Sequence, residues 1–97
     1  MEATVYVKYV GEKEPFVNSK GEQITKRTVI MTQKECRTID GQTLPTENDL
    51  VFELLNERAE NFYPQQGEWL CISYMTMAHE YNGRWFGENR LGRYCRI

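Results

Sequence analysis

Histidine and cysteine are scarce in this chain: one histidine and three cysteines among 97 residues. Cys36, Cys71 and Cys95 are odd in number and widely spaced. They form no CxxC and no Cys-His cluster, which argues against a zinc site. They read as reduced thiols of a reducing compartment, with Cys71 buried as a small hydrophobe. The lone histidine, His79, is followed by Glu80. Neighbours in a strand point to opposite faces, so the two cannot act together as acid and base without a bulge. No Ser-His-Asp set, glycine-rich phosphate loop or carboxylate-rich metal site is present. The expectation is a protein that is not an enzyme, with no catalytic residues, no metal and no cofactor. No run approaches the ~18 apolar residues needed to cross a membrane. The N-terminus, MEATVYVKYV, lacks the basic start and apolar stretch of a signal peptide, which points to the cytoplasm. An excess of one charge is missing too: 12 Lys and Arg stand against 14 Asp and Glu, for a net charge of -2. That balance exerts no global pull on a polyanion.

What is present is local. Arg84, Arg90, Arg93 and Arg96 crowd the last fourteen residues, while the acids spread through the middle. Ninety-seven residues make one domain, 1–97, because a linker would leave neither half enough core.

Period-two alternation dominates the chain. Ala3, Val5 and Val7 alternate with Thr4, Tyr6 and Lys8, which predicts a half-buried strand. Residues 11–23, GEKEPFVNSKGEQ, predict a long hairpin loop. Residues 24–33, ITKRTVIMTQ, predict a second strand with Val29 and Met31 on one face and Lys26, Thr28, Ile30 and Thr32 on the other. From Lys34 to Asn48 the chain turns polar, with Asp40-Gly41 and Pro45 as breakers. This stretch is either one loop or a short hairpin turning at Asp40-Gly41. Residues 49–55, DLVFELL, restore alternation, with Leu50, Phe52 and Leu54 on one face.

The one predicted helix spans residues 56–63. Asn56 can cap it, Glu57 suits its positive end and Pro64 stops it. Leu55, Ala59 and Phe62 make an apolar stripe fit to plug the end of a barrel. Gly67 opens the longest strand, in which Leu70, Ile72 and Tyr74 alternate with Trp69, Cys71 and Ser73. Asn82-Gly83 then predicts a tight type I′ hairpin. Gly87 and Gly92 mark bulge or bend sites in the last strand. The predicted core is Val5, Val7, Val29, Met31, Leu50, Phe52, Leu54, Leu70 and Ile72.

Three strands, a helix and two strands is the element order of the oligonucleotide/oligosaccharide-binding (OB) fold. The fold class expected is therefore all-β: a five-stranded OB-fold barrel with one short helix between strands three and four. The last hairpin, EYNGRWFGENR, resembles the closing hairpin of a family of small bacterial OB-fold proteins, mostly uncharacterised, related to bacterial single-stranded DNA-binding proteins. NSKGEQITKRTVIM is similar to that family's first hairpin loop and second strand. VFELLNERAENF is similar to its third strand and helix, and GEWLCISY to the start of its fourth strand. The resemblance covers nearly the whole chain outside residues 34–48. The chain departs from the family at Leu55 and Gly92, near which the family carries aromatics. It also ends at Ile97 without the acidic tail by which typical relatives recruit partners. The resemblance implies an OB-fold, no cofactor and binding of single strands.

Single-strand binders combine a basic groove with aromatic faces on which bases stack. The chain offers both. Lys20, Lys26, Arg27 and Thr28 lie on the first hairpin; Tyr81, Arg84, Trp85, Phe86, Arg90 and Arg93 lie on or just after the last. In an OB-fold these would meet on one face, with only one of Trp85 and Phe86 turned toward the ligand. The expected partner is single-stranded DNA, with RNA as an open alternative. The competing expectation is a protein-interaction or oligomerisation module using the same residues. Trp69 and Tyr74 read as core or dimer interface, and Met75 and Met77 as packing. A homodimer or higher homo-oligomer is expected, to join two grooves.

Overall fold

Alternating residues build six strands and one short helix in the computed structural model. It describes the backbone of residues 1–97 and the side chains of all but residues 35–37 and 44–46. The elements are β1 (Glu2–Val10), β2 (Glu14–Val17), β3 (Gln23–Ile39), β4 (Gln42–Leu55), α1 (Glu57–Asn61), β5 (Trp69–Tyr81) and β6 (Arg84–Arg96). The protein is all-β apart from α1. Among the described residues, no helix is long and apolar enough to cross a membrane.

The strands close into a ring of hydrogen bonds. β1 pairs antiparallel with β3 on one side and β5 on the other; β3 pairs with β4 and β5 with β6. A single parallel bridge, Phe52 opposite Asn89, joins β4 to β6 and completes the circle. β2 stands outside this circle as an edge strand on β3. It occupies part of the segment expected to be loop. Four residues, Glu14–Val17, suffice to pair, and Pro15 is tolerated because an edge strand has a side with no partner. Asn18 then closes the turn into β3, its Oδ1 accepting from the backbone N–H groups of Lys20 and Glu22 at 3.0 and 2.9 Å.

The inward phase of the strands makes the core. Val5, Val7, Val29, Met31, Phe52, Leu54, Leu70 and Ile72 are all buried, and Leu50 packs at their margin. Phe52 lies at the centre and meets Tyr74 edge-on, ring centroids 6.1 Å apart. α1 covers one end of the ring with Ala59 and Phe62, the latter against Tyr94 at 5.3 Å. The helix stripe differs from its expectation, since Leu55 is 47% exposed on the outside of β4. Asn56 does not cap the helix with its side chain either. Its backbone has φ of 52° and its Oδ1 accepts from Thr25 N–H at 3.4 Å, which ties the start of α1 to β3 instead.

The undecided stretch 34–48 is a hairpin. β3 and β4 stay in register out to Ile39 and Gln42, turning at Asp40-Gly41 with φ of 50° and 79°. Two positive φ values define a type I′ turn, as they do at Asn82-Gly83 with 51° and 76°. Both hairpins project beyond the ring, and because β4 and β6 run parallel their tips lie at the same end. The radius of gyration is accordingly 15.7 Å, against roughly 12.5 Å for a compact chain of this length.

The last strand bulges where Gly92 and Arg93 together oppose Ser73, and the register slips between Ile72 and Tyr74. A Cβ at Gly92 would lie 2.5 Å from Ser73 Oγ and 3.0 Å from Ser73 O. Gly92→Ala should therefore destabilise the protein by about 1–3 kcal/mol in urea denaturation. Adding Ser73→Ala should recover part of the loss, since the hydroxyl clash goes and the carbonyl contact stays. Full stability in Gly92→Ala would show that the bulge yields freely.

Candidate functional site

The two-residue turn at Asn82-Gly83 fixes which side chains share a face on the β5–β6 arm. Tyr81 opposes Arg84, His79 opposes Phe86, Met77 opposes Glu88 and Met75 opposes Arg90. Opposed residues of an antiparallel pair point the same way, so these eight line one side. Glu80 with Trp85, Ala78 with Gly87 and Thr76 with Asn89 line the other. The second side continues the inward phase, because Tyr74 and Leu91, opposed two rungs earlier, pack into the core. The first side is outward. It is continuous with Val51, Glu53 and Leu55 on β4, which are opposed in turn by Ile30, Thr28 and Lys26 on β3. A shallow cleft of about 360 Å³ between β4 and the arm is lined by Val51, Glu53, His79 and Glu88, among others.

Exposure on the arm is high because no core lies beneath it. Tyr81 is 67% exposed, Phe86 46%, Trp85 70% and Met75 62%. Met75 and Met77 therefore do not serve as packing, contrary to expectation. Cys71 likewise lies exposed, on the outward phase between buried Leu70 and Ile72. Trp69 is exposed and tilts against Tyr6 at 5.6 Å, while Tyr74 packs on the core. Phe86 stacks on His79, centroids 6.0 Å apart and planes 29° from parallel.

The expected site residues separate into three groups. Tyr81, Arg84, Phe86 and Arg90 come together on the outward face of the arm, and Lys26 and Thr28 share the adjoining surface of the ring. Trp85 lies on the arm but faces away from them. Lys20, Arg27 and Arg93 lie elsewhere. Lys20 sits in the turn before β3, at the end of that strand opposite the arms. Arg27 belongs to the scaffold: its Nε donates to Gly11 O at 2.9 Å and its Nη1 to Ala59 O at 3.3 Å, joining the segment after β1 to α1. Arg93 occupies the bulge, where its backbone N–H donates to Ser73 Oγ at 2.8 Å.

The cations of the face differ in their freedom. Lys26 Nζ lies 3.0 Å from Glu53 and 5.8 Å from the centre of the Phe16 ring. Arg90 Nε lies 3.3 Å from Glu88. Exposed pairs of this kind contribute little and yield readily to a stronger anion. Arg84 has no ion-pair partner among the described residues. Phe16, Val51, Met75, Met77 and His79 join this face without having been expected there. The signal for the last three was in the sequence, because a two-residue turn at Asn82-Gly83 dictates the pairing of 79 with 86 and 75 with 90.

A polar cluster lies further along β1, β3 and β4. Thr32 Oγ1 donates to Asp49 Oδ1 at 2.8 Å and Lys8 Nζ to Asp49 Oδ2 at 2.9 Å. The Lys8 hydrogen bond, with that from Thr32, holds the Asp49 carboxyl below the usual carboxylate range; Asp49 in turn raises Lys8. A depressed carboxylate stabilises the fold above its unfolded pKa, and that contribution is lost as pH falls through the folded value. A raised lysine stabilises below its unfolded pKa and loses its contribution as pH rises through the folded one. The stability gap between the native protein and Asp49→Asn should thus be flat near neutrality. In urea titrations it should close as pH falls below about 4, the ordinary range of an aspartate carboxyl. A gap that widened in acid would contradict the assignment.

No protein-family model matches this chain, and no curated protein is significantly similar to it.

Proposed function

We propose that this protein is an OB-fold barrel of the single-strand-binding kind, which binds single-stranded nucleic acid, DNA foremost, on the outward face of the β5–β6 arm and the adjoining ring. With β2 set aside, the ring runs β1-β3-β4-β6-β5 and back to β1, with the helix between its third and fourth strands. That arrangement supports the barrel, as does the resemblance of the last hairpin and three further segments to the small bacterial OB-fold family. The observation that carries the functional reading is the arm itself. Tyr81 and Phe86 stand exposed beside Arg84, which has no ion-pair partner among the described residues, on the part of the strand pair that projects beyond the core. Rings that serve no core are free to stack on bases, and Arg84 is free to meet a phosphate. No cofactor or metal enters this reading, and it assigns no catalytic residue.

Titration with a fluorescently labelled short oligothymidine, followed by anisotropy at several salt concentrations, tests it. Binding that weakens as salt rises is the expected result, because phosphate contacts release counterions. Absence of binding even at low salt would refute it.

The second reading is a protein-interaction module, and one observation favours it. Met75, Met77, Val51 and Leu55 are exposed on the same face, and the nearby Lys26 and Arg90 are already paired with carboxylates. Under either reading a symmetric dimer is expected, which would cover part of this apolar surface. Light scattering at tens of micromolar, on the order of the range where weak dimers persist, should report twice the chain mass. A monomer there would remove the dimer from both readings.

A further inference from the structure

We propose that Cys71 and Cys95 are a reversible thiol–disulfide pair, oxidised by small-molecule disulfides of the glutathione class. The two residues are directly opposed on β5 and β6, both are free and both are exposed. They line one open groove of about 650 Å³ with Thr4, Ser73 and Arg93, so a small reagent can reach either sulfur. Nothing in the single-strand-binding reading requires them, and the inference stands independently of it.

The register determines what kind of bond they can form. Ile97 N–H donates to Trp69 O at 3.3 Å, two rungs from the pair. Hydrogen-bonded rungs alternate along an antiparallel ladder, so Cys71 and Cys95 also form one. Their Cα atoms are then about 5.5 Å apart, inside the span of ~4.4–6.8 Å that a disulfide bridges. The Cβ atoms of such a rung stand somewhat wider than a relaxed disulfide places them. The bond therefore closes only by drawing the strands slightly together, and an exposed bond of that kind is readily reduced again. This geometry suits a switchable pair rather than a permanent staple.

The reaction balances in two exchanges. The thiolate of one cysteine attacks a sulfur of the oxidised glutathione, forming a protein–glutathione mixed disulfide and releasing one glutathione thiol. The opposed cysteine, as its thiolate, attacks the protein sulfur of that mixed disulfide and releases the second glutathione. The protein loses two hydrogens and two electrons, and one oxidised glutathione becomes two reduced ones. The closed loop contains the entire arm, so oxidation ties β6 to β5 at the base of the candidate binding face without touching Tyr81 or Phe86.

Intact-protein mass spectrometry of the Cys36→Ser variant, incubated with oxidised glutathione, tests the proposal. Cys36 is removed so that the pair alone is read. The expected product is a monomer lighter by two hydrogens, with no thiol left to alkylate, and restored by dithiothreitol. Peptide mapping should join the segments holding residues 71 and 95. Adding Cys71→Ser or Cys95→Ser should instead trap a lasting glutathione adduct on the remaining cysteine, because the resolving thiol is gone. Adducts that persist in the variant with both cysteines present would overturn the pair. So would an intermolecular dimer as the main product, or two thiols that remain fully alkylatable.

Discussion

Phe52→Ala should lose about 3–5 kcal/mol of folding stability, read by urea denaturation or thermal melting. Phe52 has no exposed surface and its backbone forms the single bridge that joins β4 to β6. Truncation leaves a cavity at the centre of the ring and removes the edge contact with Tyr74. A chain of 97 residues has a total stability of only about 5–15 kcal/mol, so the variant should lie near the edge of folding at room temperature. The melting midpoint should fall by something on the order of 15–30 °C. Phe86→Ala supplies the contrast: the same truncation on the arm removes a ring with no core beneath it and should change stability by less than about 0.5 kcal/mol. Equal losses from the two variants would mean that the arm is packed as part of the core. A loss under 1 kcal/mol at Phe52, roughly the cost of an exposed substitution, would mean that the ring is not closed around it.

How much of this was legible in the sequence depends on where the hydrophobic effect was acting. Within the ring each strand has one face against the core, and alternation there located Val5, Val7, Val29, Met31, Phe52, Leu54, Leu70 and Ile72 on the inward phase. Beyond the ring the described side chains cover no core, so alternation carried no information about the arms. Residues 34–48 looked polar, their described side chains lie exposed with no core to cover, and only the turn dipeptide Asp40-Gly41 marked the stretch as paired. The same reasoning misplaced Met75 and Met77, whose apolar character suggested packing where no core extends. Cys71 was misread on composition rather than phase, since its neighbours Leu70 and Ile72 take the inward positions. Arg27 was invisible as a structural residue, because its two acceptors are backbone carbonyls from distant segments, Gly11 and Ala59. β2 was hidden by Pro15, which is compatible with a strand only at an edge. As for the site, the choice between Trp85 and Phe86 required only the register set by Asn82-Gly83, extended from Tyr81 and Arg84 back to the buried rung of Tyr74 and Leu91.

That register makes the sharpest claim about the proposed interface. Phe86→Ala and Tyr81→Ala should each weaken oligothymidine binding by about 1–3 kcal/mol, the range for loss of one base–aromatic stack. Trp85→Ala, truncating a larger ring one residue away, should cost clearly less, because it points to the side that bears Glu80 and Thr76. Size and hydrophobicity alone would predict the reverse order, so the comparison tests the face rather than the arm. Arg84→Ala should weaken binding to all sequences alike and flatten the dependence of log K on log salt by roughly 0.7, as expected for one phosphate contact on a single strand. Lys26→Ala should lower the slope by less, since Glu53 already neutralises part of that charge. All five variants should melt close to the parent, which separates loss of contact from loss of fold. If Trp85→Ala proves the most damaging, the ligand lies on the inward side of the arm, and the outward face was misassigned. If none of the five changes affinity while binding itself persists, the strand is held elsewhere on the ring and the arm must be given up as its site. If oligothymidine fails to bind at all and Phe86→Ala or Tyr81→Ala abolishes assembly, the exposed rings serve a protein partner, and the second reading replaces the first.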